Sequence, residues 1–111
     1  MFEQGNLFNS LPNAQDSEVF DDLIKHPLVR IERILSHGQR SPDDGWYDQD
    51  EHEWVSVLQG EAELTFENGE IVKLHVGDYI NIPANTKHKV SWTKPNTDTV
   101  WLAVFYPATG N

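Results

Sequence analysis

The chain has no cysteine, which excludes a disulfide framework, a thiolate nucleophile and any Cys-based zinc or iron–sulfur site. Any metal would have to be held by His, carboxylate or amide side chains. Basic residues are scarce. Eight Lys and Arg stand against eighteen Asp and Glu, a formal net charge of -10 at pH 7. That is the wrong sign for neutralising phosphates or anionic lipid headgroups, so neither nucleic acid nor a membrane surface is an expected partner. No apolar run approaches the ~18 residues of a membrane-crossing helix. The start, Met1-Phe2-Glu3-Gln4-Gly5, lacks the basic and apolar regions of a secretory signal, and a cytoplasmic location is the expectation. What remains is 111 residues, 38% hydrophobic, with four Trp, three Tyr and five Phe. This is too apolar for a disordered chain and suits one compact domain.

Residues 1 to 15 read as a polar arm broken by Asn6, Asn9, Pro12 and Asn13, with Leu7, Phe8 and Leu11 able to dock on a surface. Val19, Phe20, Leu23 and Ile24 then fall at helical spacing between a possible cap at Asp16 or Ser17 and a stop at Pro27, which predicts one short helix. The arm and helix make up 1–27, and a β domain occupies 28–111. Beyond Pro27 the period becomes two, with strands expected over 28–36, 53–59, 62–67, 70–75, 79–82, 87–92 and 99–106. Asn68-Gly69 signals a hairpin, expected as a type I′ turn with positive φ at both residues. Short strands at this spacing indicate an all-β fold, either a Greek-key sandwich or a jelly roll.

Alternation assigns faces. Over 53–59, Glu53, Val55 and Val57 oppose Trp54, Ser56 and Leu58, and neither set is simply polar. Over 87–92, His88, Val90 and Trp92 share the core side. Burying a lone carboxylate or imidazole costs several kcal/mol, roughly 2–7 for an unpartnered polar group. Glu53 and His88 are therefore expected either to pair or to share a metal. In 28–36 the pattern admits Arg33 reaching into a pocket to orient an anion, with Arg30, Glu32, Ile34 and Ser36 as the solvent side. The last strand, 99–106, is apolar on both sides, which points to self-association. An outer face carrying Trp54, Leu58, Trp101 and Phe105, together with the arm, is the expected homodimer contact.

Two segments resemble the paired motifs of the cupin superfamily. Gly77, Pro83 and His88 reproduce the second motif's Gly, Pro and His at the family spacing, with Asn85 in place of a second Gly and Trp92 in place of a final Asn. Asn tolerates positive φ, so the turn is expected to survive. In the first motif Glu53 and Gly60 stand at the required separation, but Tyr47 and Gln49 occupy the places of the His-x-His pair. The runs 46–55, 60–64 and 77–83 are similar to short bacterial single-domain cupins of the conserved-barrel type. The resemblance covers about 28–106 and implies an all-β double-stranded β-helix, a jelly-roll barrel, with a pocket. In cupins carrying the full motif, three His and one Glu bind a divalent ion. Carried over position by position, this implies Glu53 and His88 as ligands, Gln49 as a neutral oxygen donor, and His52 as a further donor should a bulge turn it inward. Such a set suits Zn, Ni, Fe or Mn better than Cu(I). Trp46, Tyr47, Val55 and Trp92 are then expected as pocket wall.

Three functions follow from these residues. The first is a small metal-dependent enzyme acting on an organic acid or sugar. The second is a module that captures a small-molecule ligand without turning it over. The third is a metal-free enzyme using Glu53 and His88 as an acid–base pair.

Overall fold

A computed structural model describes residues 2–108. Eight strands follow one another: β1 Val19–His26, β2 Val29–Ser36, β3 Glu51–Gln59, β4 Ala62–Phe66, β5 Ile71–Leu74, β6 Tyr79–Ile82, β7 His88–Thr93 and β8 Thr99–Pro107. They form a five-stranded sheet, β1-β2-β8-β3-β6, and a three-stranded sheet, β5-β4-β7, with every ladder antiparallel. The fold is the double-stranded β-helix barrel. No helix forms among the described residues, so none there is long and apolar enough to cross a membrane.

The short helix expected before Pro27 is instead β1, an edge strand of the larger sheet, so the barrel begins well before residue 28. The reason lies in its register. The β1–β2 ladder slips between Asp22 and Ile24, leaving Leu23 as a bulge. An extra residue puts two successive side chains on one face, and the apolar spacing then imitates a helical repeat. Pairing with β2 satisfies the backbone of this segment, which an isolated turn of helix would have to do alone.

The core lies between the sheets. Val55, Val57, Ala62, Leu64, Leu74, Ile82, Trp101, Ala103 and Phe105 form one buried cluster. A second, smaller cluster sits on the outer side of the larger sheet, where Ala14 of the N-terminal arm covers Leu35 and Val100, with Leu11, Val19 and Leu58 packed around them. The arm is thus a cover for its own barrel. Arg33 Nη1 fixes it further by donating to the Leu7 carbonyl at 3.2 Å.

Ladder pairs point to the same side of a sheet, so register gives the inner rows directly. One row runs Arg30, Phe105, Glu53, Ile82; the next runs Glu32, Ala103, Val55, Ile80; a third runs Phe20, Ile34, Trp101, Val57. Trp101 and Phe105 therefore face inward, and the expected outer face loses them. The outward set beside Leu102 is instead Ile24, Ile31, Val104 and Trp54. The hairpin at Asn68-Gly69 forms with positive φ at Gly69 alone, and Gly69 N–H donates to the Phe66 carbonyl at 2.9 Å. That is the pattern of a type I turn closed by a glycine bulge, in place of the expected type I′ turn.

Candidate functional site

Loops at one end of the barrel are tied down by backbone bonds. Tyr47 and His88 exchange hydrogen bonds, Tyr47 N–H to the His88 carbonyl at 2.7 Å and His88 N–H to the Tyr47 carbonyl at 3.1 Å, so the segment before β3 adds to the edge of β7. Asn85 N–H donates to the Gln49 carbonyl at 2.8 Å, and Asn85 itself adopts φ 60, the left-handed conformation that the family pattern assigns to glycine. Two loops distant in sequence are thereby locked together beside the inner row that contains Glu53.

Beneath them lies a cavity of about 230 Å³, below the ~300–1,000 Å³ usual for drug-sized ligands. Its polar end is built by Glu53, His88, Gln49 and Tyr47, and its apolar walls include Ile34, Val55, Leu64, Ile82 and Val90. Phe20, Trp101 and Phe105 supply aromatic surface, while Glu18, Glu32 and Arg30 bring further charge.

His88 is held in place at this end by its ring contacts. Its Nδ1 is 2.8 Å from the Thr86 carbonyl, which can only accept, so Nδ1 carries the proton and Nε2 is the atom offered to the cavity. Nε2 stands 3.4 Å from Glu53 Oε1, with the two side chains 4% and 12% exposed. This is an ion-pair contact longer than an ordinary hydrogen bond. Gln49 Nε2 donates to the same Oε1 at 3.1 Å. Burial alone would lower the imidazole pKa, but the contact to Glu53, the Thr86 carbonyl and the Glu53 charge together outweigh it and raise it. His88 thus stays protonated to higher pH than a free imidazole. Burial pushes the Tyr47 phenol up, with the charges of Glu18 and Glu53 adding to it, so it is a neutral donor near pH 7.

Along the same inner row as Glu53, Arg30 donates to Glu32 at 2.9 Å and to Glu51 at 2.7 Å, and its guanidinium lies 4.2 Å from the centroid of the Phe105 ring. Burial raises the Glu32 pKa; Arg30 opposes this, and the charge of Asp22, its ladder partner on β1, adds to it.

Of the residues expected at the site, Glu53, His88, Gln49, Tyr47 and Val55 meet in this cavity. Four do not. His52 turns away from Glu53, as its neighbour in a regular strand must; its Nδ1 accepts from Ala84 N–H at 3.0 Å and its ring packs on Tyr106. Arg33 lies on the outer face, paired with Asp21 at 2.7 Å. The phase of β2 is opposite to the expectation, because the arm packs on Leu35 and covers the outer side, so the apolar set of the strand faces outward without meeting water there. Arg30 and Glu32, read as solvent-facing, are the charged groups that β2 contributes to the cavity lining. Trp92 is turned outward by a bulge: β7 pairs Val90 with Leu64 and Trp92 with Glu63, which leaves Ser91 extra. Thr93 takes the inner place and is 1% exposed. Trp46 sits at the surface, with Lys89 Nζ 4.8 Å from its ring centroid. Phe20 and Glu18 were hidden by the helical reading of their segment.

The family model for the cupin domain matches residues 33–105, and the chain belongs to that family. Among solved structures it is similar to a candidate mannose-6-phosphate isomerase of Ralstonia eutropha JMP134, at 39% identity over 96% of this chain and 99% of that one, with a TM-score of 0.91. An RmlC-like cupin of Desulfovibrio desulfuricans (19% identity, 96% and 98% coverage, TM-score 0.78) shares the fold. So does one from Methanocaldococcus jannaschii, described as a double-stranded β-helix (20% identity, 97% and 94% coverage, TM-score 0.71). No curated protein matches the chain.

The ion implied by the full cupin motifs does not fit these donors well. Among the described residues no three His, Cys, Asp or Glu side chains gather around one point. At the places of the motif's His pair stand a phenol held protonated by burial and an amide whose NH₂ is directed at Glu53. A catalytic zinc ordinarily takes three protein ligands, and this cavity offers two strong ones.

Proposed function

We propose that this cupin is a small acid–base enzyme that moves a proton on a small, mostly apolar molecule, with Glu53 and His88 as the working pair and no resident metal. The observation that carries the reading is the presentation of His88. Its Nδ1 proton is tied to Thr86, and Nε2 is offered to the cavity 3.4 Å from Glu53. For an enolisable carbonyl compound, Glu53 takes a proton from the carbon beside the carbonyl while His88 Nε2–H gives one to the carbonyl oxygen. The enol forms without an oxidant. When the carbon beside the carbonyl bears a hydroxyl the intermediate is an enediol, and returning the proton from Glu53 to the former carbonyl carbon, while Nε2 takes the proton of that neighbouring hydroxyl, moves the carbonyl by one carbon and completes an isomerisation. Tyr47 and Gln49 orient the polar end, and the apolar walls exclude water, which strengthens both charges.

The Ralstonia neighbour is described by a sugar-phosphate substrate. A phosphate would need cations to receive it. The lining offers one arginine, and that one is already shared between Glu32 and Glu51. The cavity supports the isomerase chemistry better than the phosphorylated substrate. A Zn, Ni, Fe or Mn centre is supported less, for want of a third strong ligand.

The test is deuterium exchange followed by proton NMR, using chelator-treated protein in D₂O and a panel of small hydroxy ketones and aldehydes. Exchange beside the carbonyl is expected with the wild type and should vanish in Glu53→Gln and His88→Ala. Exchange that appears only on adding a divalent ion would overturn the metal-free reading. Saturable binding without exchange would make the barrel a ligand-capturing module instead.

A further inference from the structure

The apolar walls and the Glu53–His88 pair leave the ligand's charge open, but the rest of the lining does not. Three carboxylates, Glu18, Glu32 and Glu53, line the cavity against a single arginine. Arg30 divides itself between Glu32 and Glu51, a carboxylate just outside the lining. Asp22 stands directly across the β1–β2 ladder from Glu32, a like-charge pairing that destabilises a sheet unless a cation relieves it. Even with His88 protonated, these five carboxylates face two cations. Glu32 is only 13% exposed, so water relieves little of its charge.

The aromatic surface points the same way. Phe105 already carries the Arg30 guanidinium over its ring, an arrangement that shows how this wall receives a cation. Trp101 is anchored by its edge, with Nε1–H donating to Ser36 Oγ at 3.1 Å, and that hydroxyl in turn donates to Glu18. The indole is thereby held beside a carboxylate on the cavity wall, and Phe20 lies in the same inner row. Ring faces combined with nearby carboxylates are the surface that attracts organic ammonium groups once water is removed. At the other end His88, nine-tenths buried, has an Nε2 that makes no hydrogen bond of ordinary length and so has room for a polar atom of the ligand.

We infer that the molecule taken by this cavity is a small organic cation, its ammonium group seated among Phe20, Trp101, Glu18 and Glu32 and its polar end directed to Glu53 and His88. The inference rests on the reading of the barrel as an acid–base site and adds the substrate class to it. It also explains in physical terms why a phosphorylated sugar is a poor match.

The experiment uses three probes of one shape and three charges: choline, its uncharged tert-butyl isostere, and the matching tert-butyl carboxylate. Each is titrated calorimetrically into the full chain. Choline is expected to bind about tenfold or more tightly than the uncharged isostere, with the carboxylate weaker still; tenfold is the discrimination that one cation–aromatic contact can supply. Glu32→Gln and Phe20→Leu should each shrink that ratio by weakening choline more than the uncharged isostere. Equal or tighter binding of the uncharged or anionic probe would overturn the inference. So would the absence of heat from all three at about 10 mM, well above a millimolar dissociation constant. Proton exchange by Glu53 and His88 is a separate readout. Exchange without cation preference fells this inference alone, and cation preference without exchange fells the acid–base reading alone.

Discussion

Replacing Glu53 by Gln removes the charge that faces His88 and keeps the side chain's size, so the consequence can be worked from one distance. At 3.4 Å and an effective dielectric of about 20, opposite unit charges attract by about 5 kcal/mol. Most of that is offset by taking both groups out of water, since the side chains are 4% and 12% exposed. A double-mutant cycle with Glu53→Gln and His88→Gln should therefore return a coupling of about 1–3 kcal/mol, the range for residues in direct contact. The coupling must also depend on pH in one direction. The His88 pKa is raised in the folded protein, so its stabilising contribution is fully present below the unfolded imidazole value of about 6.5 and drains away as pH rises through the folded pKa. Urea unfolding of the four proteins between about pH 5.5 and 9, read from midpoints at constant slope, measures this. A coupling under about 0.5 kcal/mol at the acid end, or one that grows with pH, would refute the pairing and the proton-transfer chemistry built on it.

Gly60 has φ 85, and a Cβ there would lie 2.8 Å from the Thr99 Cα and collide with the Thr99 side chain. Gly60→Ala should cost about 2–4 kcal/mol, combining the left-handed backbone penalty with overpacking, and a drop of less than about 5 °C in Tm would contradict it. Protein purified without chelator or affinity tag should carry far less than one transition metal per chain by elemental analysis; a stoichiometric ion lost in both Glu53→Gln and His88→Ala would reverse that. His52→Ala removes a ring packed at a tilt against Tyr106 with centroids 5.0 Å apart and should cost about 1 kcal/mol with proton exchange unchanged, whereas loss of exchange would return His52 to the site. We propose that the outward apolar set Ile24, Ile31, Trp54 and Val104 joins two copies. Sedimentation should show a dimer that Val104→Lys converts to monomer, and a monodisperse wild-type monomer would exclude it.

The residues that made the fold legible are those with strict local demands. The alternation in β3 and the Gly77, Pro83 and His88 spacing depend on backbone conformation within a few residues. They placed the strands and put Glu53 and His88 inside. Bulges are a different matter, because one extra residue inverts every side chain beyond it. Leu23 disguised β1 as a helix, and Ser91 moved Trp92 outward and Thr93 inward. No local pattern announces such an insertion, since only the partner strand reveals which residue is left unpaired.

Composition and spacing therefore determined an acidic, cysteine-free all-β domain with a carboxylate and an imidazole turned inward, and the resemblance to the cupins implied the barrel. Tertiary structure decided the rest. In β2 the apolar Val29, Ile31 and Leu35 share one face and the polar Arg30, Glu32 and Ser36 the other, so alternation alone points the wrong set inward until the arm is seen covering Leu35 and Val100 on the outer side. That cover is what turns Arg30 and Glu32 inward and Arg33 outward, and with them the charge of the cavity. A side chain's face is a local property only while one face meets water. Once both are covered, burial no longer tells them apart, and the packing of distant segments chooses.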